Sequence, residues 1–152
     1  MRPEGWLVEW GRWAAVFIFL GDGALRDIKT REISLPVTVL AGVLGILYAA
    51  LGGEMMLADR LLSVLPGLIL LATALISRGR AGMGDALTML ACSGFLSGNE
   101  SLEMLVFGSI AAAIWSGVLL VRGRRGDEQI PFVPFLLVGA VMVFVLEVSG
   151  QT

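Results

Sequence analysis

Histidine is absent from this 152-residue chain, and cysteine occurs once, at Cys92. The first absence removes a histidine base, a Ser-His-Asp triad and any histidine metal site. The second removes an intrachain disulfide and a cysteine-cluster metal site. Cys92 lies inside an apolar run and reads as a small packing residue. Charge is sparse as well: Asp, Glu, Lys and Arg make up 16% of the residues, against about 25% in soluble domains. With a net charge of −2, the composition gives no reason to expect nucleic-acid binding. Proton chemistry is left essentially to carboxylates.

What the chain has in excess is apolar surface: 57% of residues are hydrophobic, and the mean hydropathy is +0.86. A membrane-spanning helix needs roughly 20 mostly apolar residues. Six segments qualify or nearly do, predicting an all-α bundle of about six transmembrane helices. They run from about Trp6 to Leu25, Leu35 to Gly52, Leu61 to Ile76, Ala86 to Gly98, Leu102 to Val121 and Pro131 to Val148. The first is impure. Glu9 and Arg12 lie three apart and are expected to pair on one helix face. Asp22 interrupts it, and no A-x-A-like site follows, so it reads as a span and not as a signal peptide. The fourth is short, which would place Asp85 at the edge of the hydrocarbon. Pro36, Pro131 and Pro134 fall in first turns, where proline is tolerated. Trp6, Trp10 and Trp13 are expected to anchor the first helix near an interface. Gly42, Gly45, Ala111 to Ala113, Gly139 and Ala140 would let helices approach closely. No linker or repeat divides the segments, so residues 1–152 read as a single transmembrane domain.

The connections alternate in charge. The first carries Arg26, Lys29 and Arg31, the third Arg78 and Arg80, and the fifth Arg122, Arg124 and Arg125: eight of the 11 basic residues. The second carries only Arg60, and the fourth has Glu100 and Glu103 but no basic residue. The positive-inside rule places the odd connections in the cytoplasm. Six spans then leave both termini facing outward, in a cytoplasmic (inner) membrane.

This topology sorts the thirteen acidic residues. Glu4, Glu54, Asp59, Glu100, Glu103 and Glu147 fall toward the outer side and are expected to be solvated. Asp127 and Glu128 follow three arginines and would offset them. Asp22, Asp27, Glu32 and Asp85 remain near the inner face. Asp85 closes Gly82-Met83-Gly84-Asp85, and Asp27 stands at the foot of the first run. Two carboxylates a few ångströms apart cannot both ionise cheaply and share a proton. The ionised member then takes a proton from water while the protonated member donates to a scissile carbonyl, which is general acid–base hydrolysis. Gly82 and Gly84 would supply positive φ and room for a substrate backbone. The plain structural reading is a glycine turn with Asp85 capping a helix N-terminus, which the helix dipole favours.

At these residues the chain resembles the type IV prepilin peptidase family, membrane aspartic proteases with a G-x-G-D signature. Gly82-Met83-Gly84-Asp85 matches that signature in full. Asp27-Ile28-Lys29-Thr30-Arg31-Glu32-Ile33 looks like the family's first-aspartate motif, with Ser34 where the family usually has proline and Pro36 two positions later. Ile130-Pro131-Phe132-Val133-Pro134-Phe135 looks like the family's proline–phenylalanine segment opening the last helix. The resemblance implies that Asp27 and Asp85 are the catalytic pair. It also implies cleavage of the short basic leader of prepilin-like membrane proteins at the cytoplasmic face. Nothing in the sequence requires a cofactor or a metal, although aspartates can ligate one. Long members add a cytoplasmic region with paired cysteines and methylate the new N-terminus. With one cysteine, this chain is expected to be a peptidase without methyltransferase activity, of the short kind serving Flp/Tad pili or related secretion machines. Association with pilus or secretion assembly proteins would follow.

Asp22 is the rival first aspartate, five residues before Asp27 and without the basic–isoleucine pattern. Arg31 and Lys29 are explained by topology alone. Two other classes compete with the protease: a small proton-coupled carrier, since intramembrane carboxylates also mark ion pathways, and a structural subunit of a pilus or secretion machine. A presenilin-type protease shares G-x-G-D, but its Tyr-Asp pair is missing: the only tyrosine, Tyr48, precedes Ala49.

Overall fold

The computed structural model describes residues 3–30, 34–51, 56–77, 82–123 and 130–150, with side chains from Val8 onward. Six helices run in chain order: α1 (Pro3–Thr30), α2 (Leu35–Leu51), α3 (Leu57–Ile76), α4 (Met83–Ser93), α5 (Gly98–Val121) and α6 (Val133–Val148). No strand occurs among the described residues. Helices α3 and α5, of 20 and 24 residues, are long and apolar enough to cross a membrane. Helices α2 and α6 are apolar but shorter. The exterior is apolar along most helices, with Ile18, Ile46, Leu57, Leu61, Ile114 and Val121 all exposed. Such a surface is stable against lipid and costly against water.

Helices 1, 6, 5, 3 and 4 pack in that order into a closed ring, α4 touching α1 to complete it, and α2 docks on the outside of α4. The largest contacts lie between α5 and α6 and between α3 and α4. Small residues set these crossings. A Cβ at Gly139 would strike the Met104 carbonyl oxygen and lie 3.0 Å from Gly108 N, so α6 meets α5 backbone to backbone. One at Gly67 of α3 would come within 2.7 Å of Leu90 of α4. Gly94, just past α4, would collide with Gly45 of α2. Gly45, Gly139 and Ala140 therefore pack as expected of small residues. Gly42 has open space around it and Ala113 is exposed, so neither is at a helix crossing.

The core holds Trp13, Val16, Leu20 and Ala24 of α1, Met89 and Cys92 of α4, Met104 of α5, and Val133, Leu136, Ala140 and Val143 of α6. Cys92 is a buried free thiol and packs as a small residue. The buried stripe of α1 steps by three or four residues, as one helix face must. Its next position is Asp27, also buried.

Element boundaries move from the expected ones. α1 begins at Pro3 and runs on through Asp27 to Thr30, so Asp27 is in a helical turn and not in a connection. α4 ends at Ser93, and α5 starts early, at Gly98, because Ser97 and Glu100 form a capping box. Pro131 precedes α6, and Pro134 lies in its first turn.

Three of the outer-end carboxylates, Asp59, Glu100 and Glu147, are held by partners and not simply solvated as expected. Arg12 does not pair with Glu9. It reaches Glu100 through two bonds of 2.6 and 2.7 Å and Glu147 at 2.7 Å. Trp13 is buried, not interfacial, and its Nε1–H donates to Glu147 at 2.7 Å. Asp59 accepts from the Gly98 N–H at 3.0 Å. Arg12 and its partners tie together α1, α5 and α6 at the end of the bundle away from Asp27, 15 residues or about 22 Å along α1. Arg31, Glu32, Ile33, Glu54, Arg78, Arg80, Arg124, Arg125, Asp127 and Glu128 lie outside the described residues, as do the side chains of Glu4 and Trp6.

Candidate active site

Gly82 is the N-cap of α4, which makes Asp85 the third helical residue and not the cap. Its amide donates to the Gly82 carbonyl at 3.2 Å. The carboxyl folds back over the helix start, so that a Cβ on Gly82 would collide with Asp85 Oδ2. Any side chain at position 82 would therefore displace the Asp85 carboxyl. The expectation of positive φ is corrected: Gly82 has φ −61°, and Gly84 lies inside the helix. Among the described glycines, only Gly123 and Gly150 have positive φ.

Asp27 reaches the site from the last turn of α1. Position 27 continues the buried stripe of that helix, so the side chain points inward and only 8% of it is exposed. Its Oδ2 accepts the backbone N–H of Val133 at 3.2 Å. Val133 is the first residue of α6, and its amide is one of the donors that a helix start leaves without an intrahelical partner. The proline–phenylalanine segment thus aims the positive end of α6 at Asp27. That arrangement favours a carboxylate.

Asp85 is half-buried at the foot of α4, ahead of the apolar run that begins at Ala86. Burial, and then the nearby charge of Asp27, pushes its carboxyl up from 3.8 to about 7. The two carboxyls therefore sit within electrostatic reach across the α1–α4 contact. Asp22, the rival, is left out. Its carboxylate pairs with Arg26 at 2.8 Å, and 41% of its side chain is exposed. Lys29 is exposed on the same turn. Among the described residues, no three His, Cys, Asp or Glu side chains are grouped to hold a metal ion. Val133 is the participant that residue-type reasoning missed, because its contribution is a backbone amide. The only signal for it was the proline pair that precedes and opens α6.

The resemblance noted from three motifs extends over most of the chain. A family model described as the type IV leader peptidase family matches residues 14–117. The chain belongs to the type IV leader peptidase family. It is 30% identical over 139 residues to a prepilin leader peptidase/N-methyltransferase of Aeromonas salmonicida, across 85% of this chain and 47% of that protein. A protein of the same name from Aeromonas hydrophila is 29% identical over 139 residues, covering 85% and 48% respectively. The chain spans about half the length of these relatives. No solved structure matches it. The match to the leader peptidase family takes in Asp22, Asp27, the glycines and Asp85, and stops short of the α6 entry that meets Asp27.

Proposed function

We propose that this chain is a membrane aspartic endopeptidase that removes the leader from prepilin-like precursors, with Asp27 and Asp85 as a dyad. The observation that carries the reading is the unequal environment of the two carboxyls. Asp27 receives an amide N–H and the positive end of α6. Asp85 is half-buried, receives the charge of Asp27, and keeps its proton to about pH 7. The pair would titrate as a coupled unit.

In the proposed reaction, Asp27 as carboxylate takes a proton from a water molecule. The resulting hydroxide attacks the scissile carbonyl carbon. Asp85 as acid donates to the carbonyl oxygen, giving a neutral tetrahedral adduct. Collapse of that adduct breaks the C–N bond, with the proton on Asp27 passing to the leaving amine and one proton returning to Asp85. No covalent intermediate and no cofactor is required. The loop-charge bias supports a cytoplasmic active site in an inner membrane, with both termini outward and one domain carrying the reaction. Substrate docking would bring a backbone over Gly82 and Gly84. Pilus or secretion assembly proteins would be the neighbours of such an enzyme.

The test is a leader-cleavage assay in detergent or liposomes with a prepilin-like substrate. Loss of cleavage in Asp27→Asn and Asp85→Asn, with Asp22→Asn active, is the expected result. Normal cleavage by either of the first two variants would remove the dyad. Loss with Asp22→Asn but not Asp27→Asn would keep the enzyme class and exchange the first aspartate.

A further inference from the structure

Helices α2 and α3 follow each other in the chain yet make almost no direct contact. Each packs on α4, and the space between them is a groove of about 410 Å³ open to the lipid-facing exterior. One wall is the α2 stripe of Leu35, Val39, Gly42 and Ile46, and Leu87 and Leu90 of α4 form the floor. Three hydroxyls also line it, and all are already engaged with their own helices or the residue before them. Thr38 donates to Ser34 O, Ser63 to Arg60 O and Ser93 to Leu90 O. The lining therefore behaves as an apolar surface.

Length and charge select the occupant. From Leu35 to Ala49 the groove follows 14 residues of α2, about 21 Å. The length exceeds one leaflet of a roughly 30 Å hydrocarbon core, about 15 Å. At the end away from the aspartates stands Arg60, which also lines the groove. Its guanidinium donates to the Ala49 carbonyl, closing the α2–α3 end. Among the described residues its other donors have no partner, and an arginine fork matches phosphate oxygens.

We propose that this groove is a phospholipid site, with one acyl chain between α2 and α3 and the headgroup phosphate on Arg60. The lipid fills the gap that the chain's own side chains leave and fixes α2 against α4. This site is independent of the peptidase chemistry on the α1 side of α4.

Native mass spectrometry of the purified protein tests it, with phosphatidylglycerol and a diacylglycerol of the same chains as probes. The wild type is expected to retain one phosphatidylglycerol per chain and to hold the diacylglycerol about tenfold more weakly, the loss of one charge-assisted contact. Arg60→Gln keeps an amide donor for Ala49 and is expected to abolish that preference. Gly42→Phe puts a ring where a Cβ meets nothing within 4 Å, and is expected to exclude both lipids. Equal retention by wild type and Gly42→Phe would overturn the site, as would equal affinity of the wild type for the two probes. A Gly42→Phe variant that holds lipid normally but has a raised KM for prepilin would assign the groove to the substrate's apolar segment instead.

Discussion

Asp27 and Asp85 are the same residue type in different surroundings, and in the proposed dyad this difference would give them different roles. Because Asp85 holds its proton up to about pH 7, cleavage is expected to fall as pH rises through 7 and the acid form is lost. A pH–rate profile of kcat/KM checks this. The stability consequence has a definite sign. A carboxyl raised from 3.8 to about 7 binds its proton more tightly folded than unfolded. Its stabilising contribution is full below about pH 4 and is lost as pH rises through 7. In Asp85→Asn, thermal unfolding in detergent should lose that dependence. Gly82 makes a second test. Gly82→Ala puts a methyl on the Asp85 carboxyl, and a 1 Å displacement of a catalytic group costs on the order of 100-fold. The expected result is that drop in kcat with a nearly unchanged melting temperature. Full activity in Gly82→Ala would mean that the observed Asp85 position is not the working one.

At the scale of elements, some helix ends carry a device that sequence neighbours alone do not reveal. The Arg12–Glu100–Glu147 cluster joins α1, α5 and α6, and its members are 88 and 135 residues apart. The expected Glu9–Arg12 pair failed because Arg12 lies on the buried side of α1 and Glu9 on the exposed side. Removing one partner of a buried ion pair costs about 3–5 kcal/mol. Arg12→Met is therefore expected to lower the melting temperature sharply, while Arg12→Met combined with Glu100→Gln and Glu147→Gln should recover much of the loss. Cleavage measured well below the transition should hardly change, because the cluster is about 22 Å from Asp27 along α1. Ser97→Ala removes the capping box that Ser97 and Glu100 form at the start of α5, at a cost of about 1 kcal/mol. The start of α6 is a different device: its first amide serves Asp27 in place of a capping side chain of its own.

For the whole molecule, the ring order decides that the foot of α1 lies beside α4 and below the start of α6. The α5–α6 crossing controls this arrangement. Gly139→Leu would drive a side chain into the Met104 carbonyl, pushing α6 outward and taking the Val133 amide away from Asp27. Loss of both stability and cleavage is expected, whereas Gly117→Leu, with nothing within 4 Å of its Cβ, should be neutral in both assays. Equal behaviour of the two would mean that the crossing does not position the site. Composition and apolar run lengths alone determined an all-helical membrane protein, because backbone polar groups in lipid must be satisfied within helices. The stripe Trp13, Val16, Leu20, Ala24 is a local period, so the inward direction of Asp27 was also readable. G-x-G-D marked Asp85, but Gly82 does not use the positive φ that glycine allows: its φ is −61°, and the Asp85 carboxyl lies where a Cβ would be. The nearness of Asp85 to Asp27, the partners of Arg12 and the gap between α2 and α3 were decided only by tertiary packing. Each depends on which helix faces meet, and contacts between residues 58 to 135 positions apart leave no periodic trace along the chain.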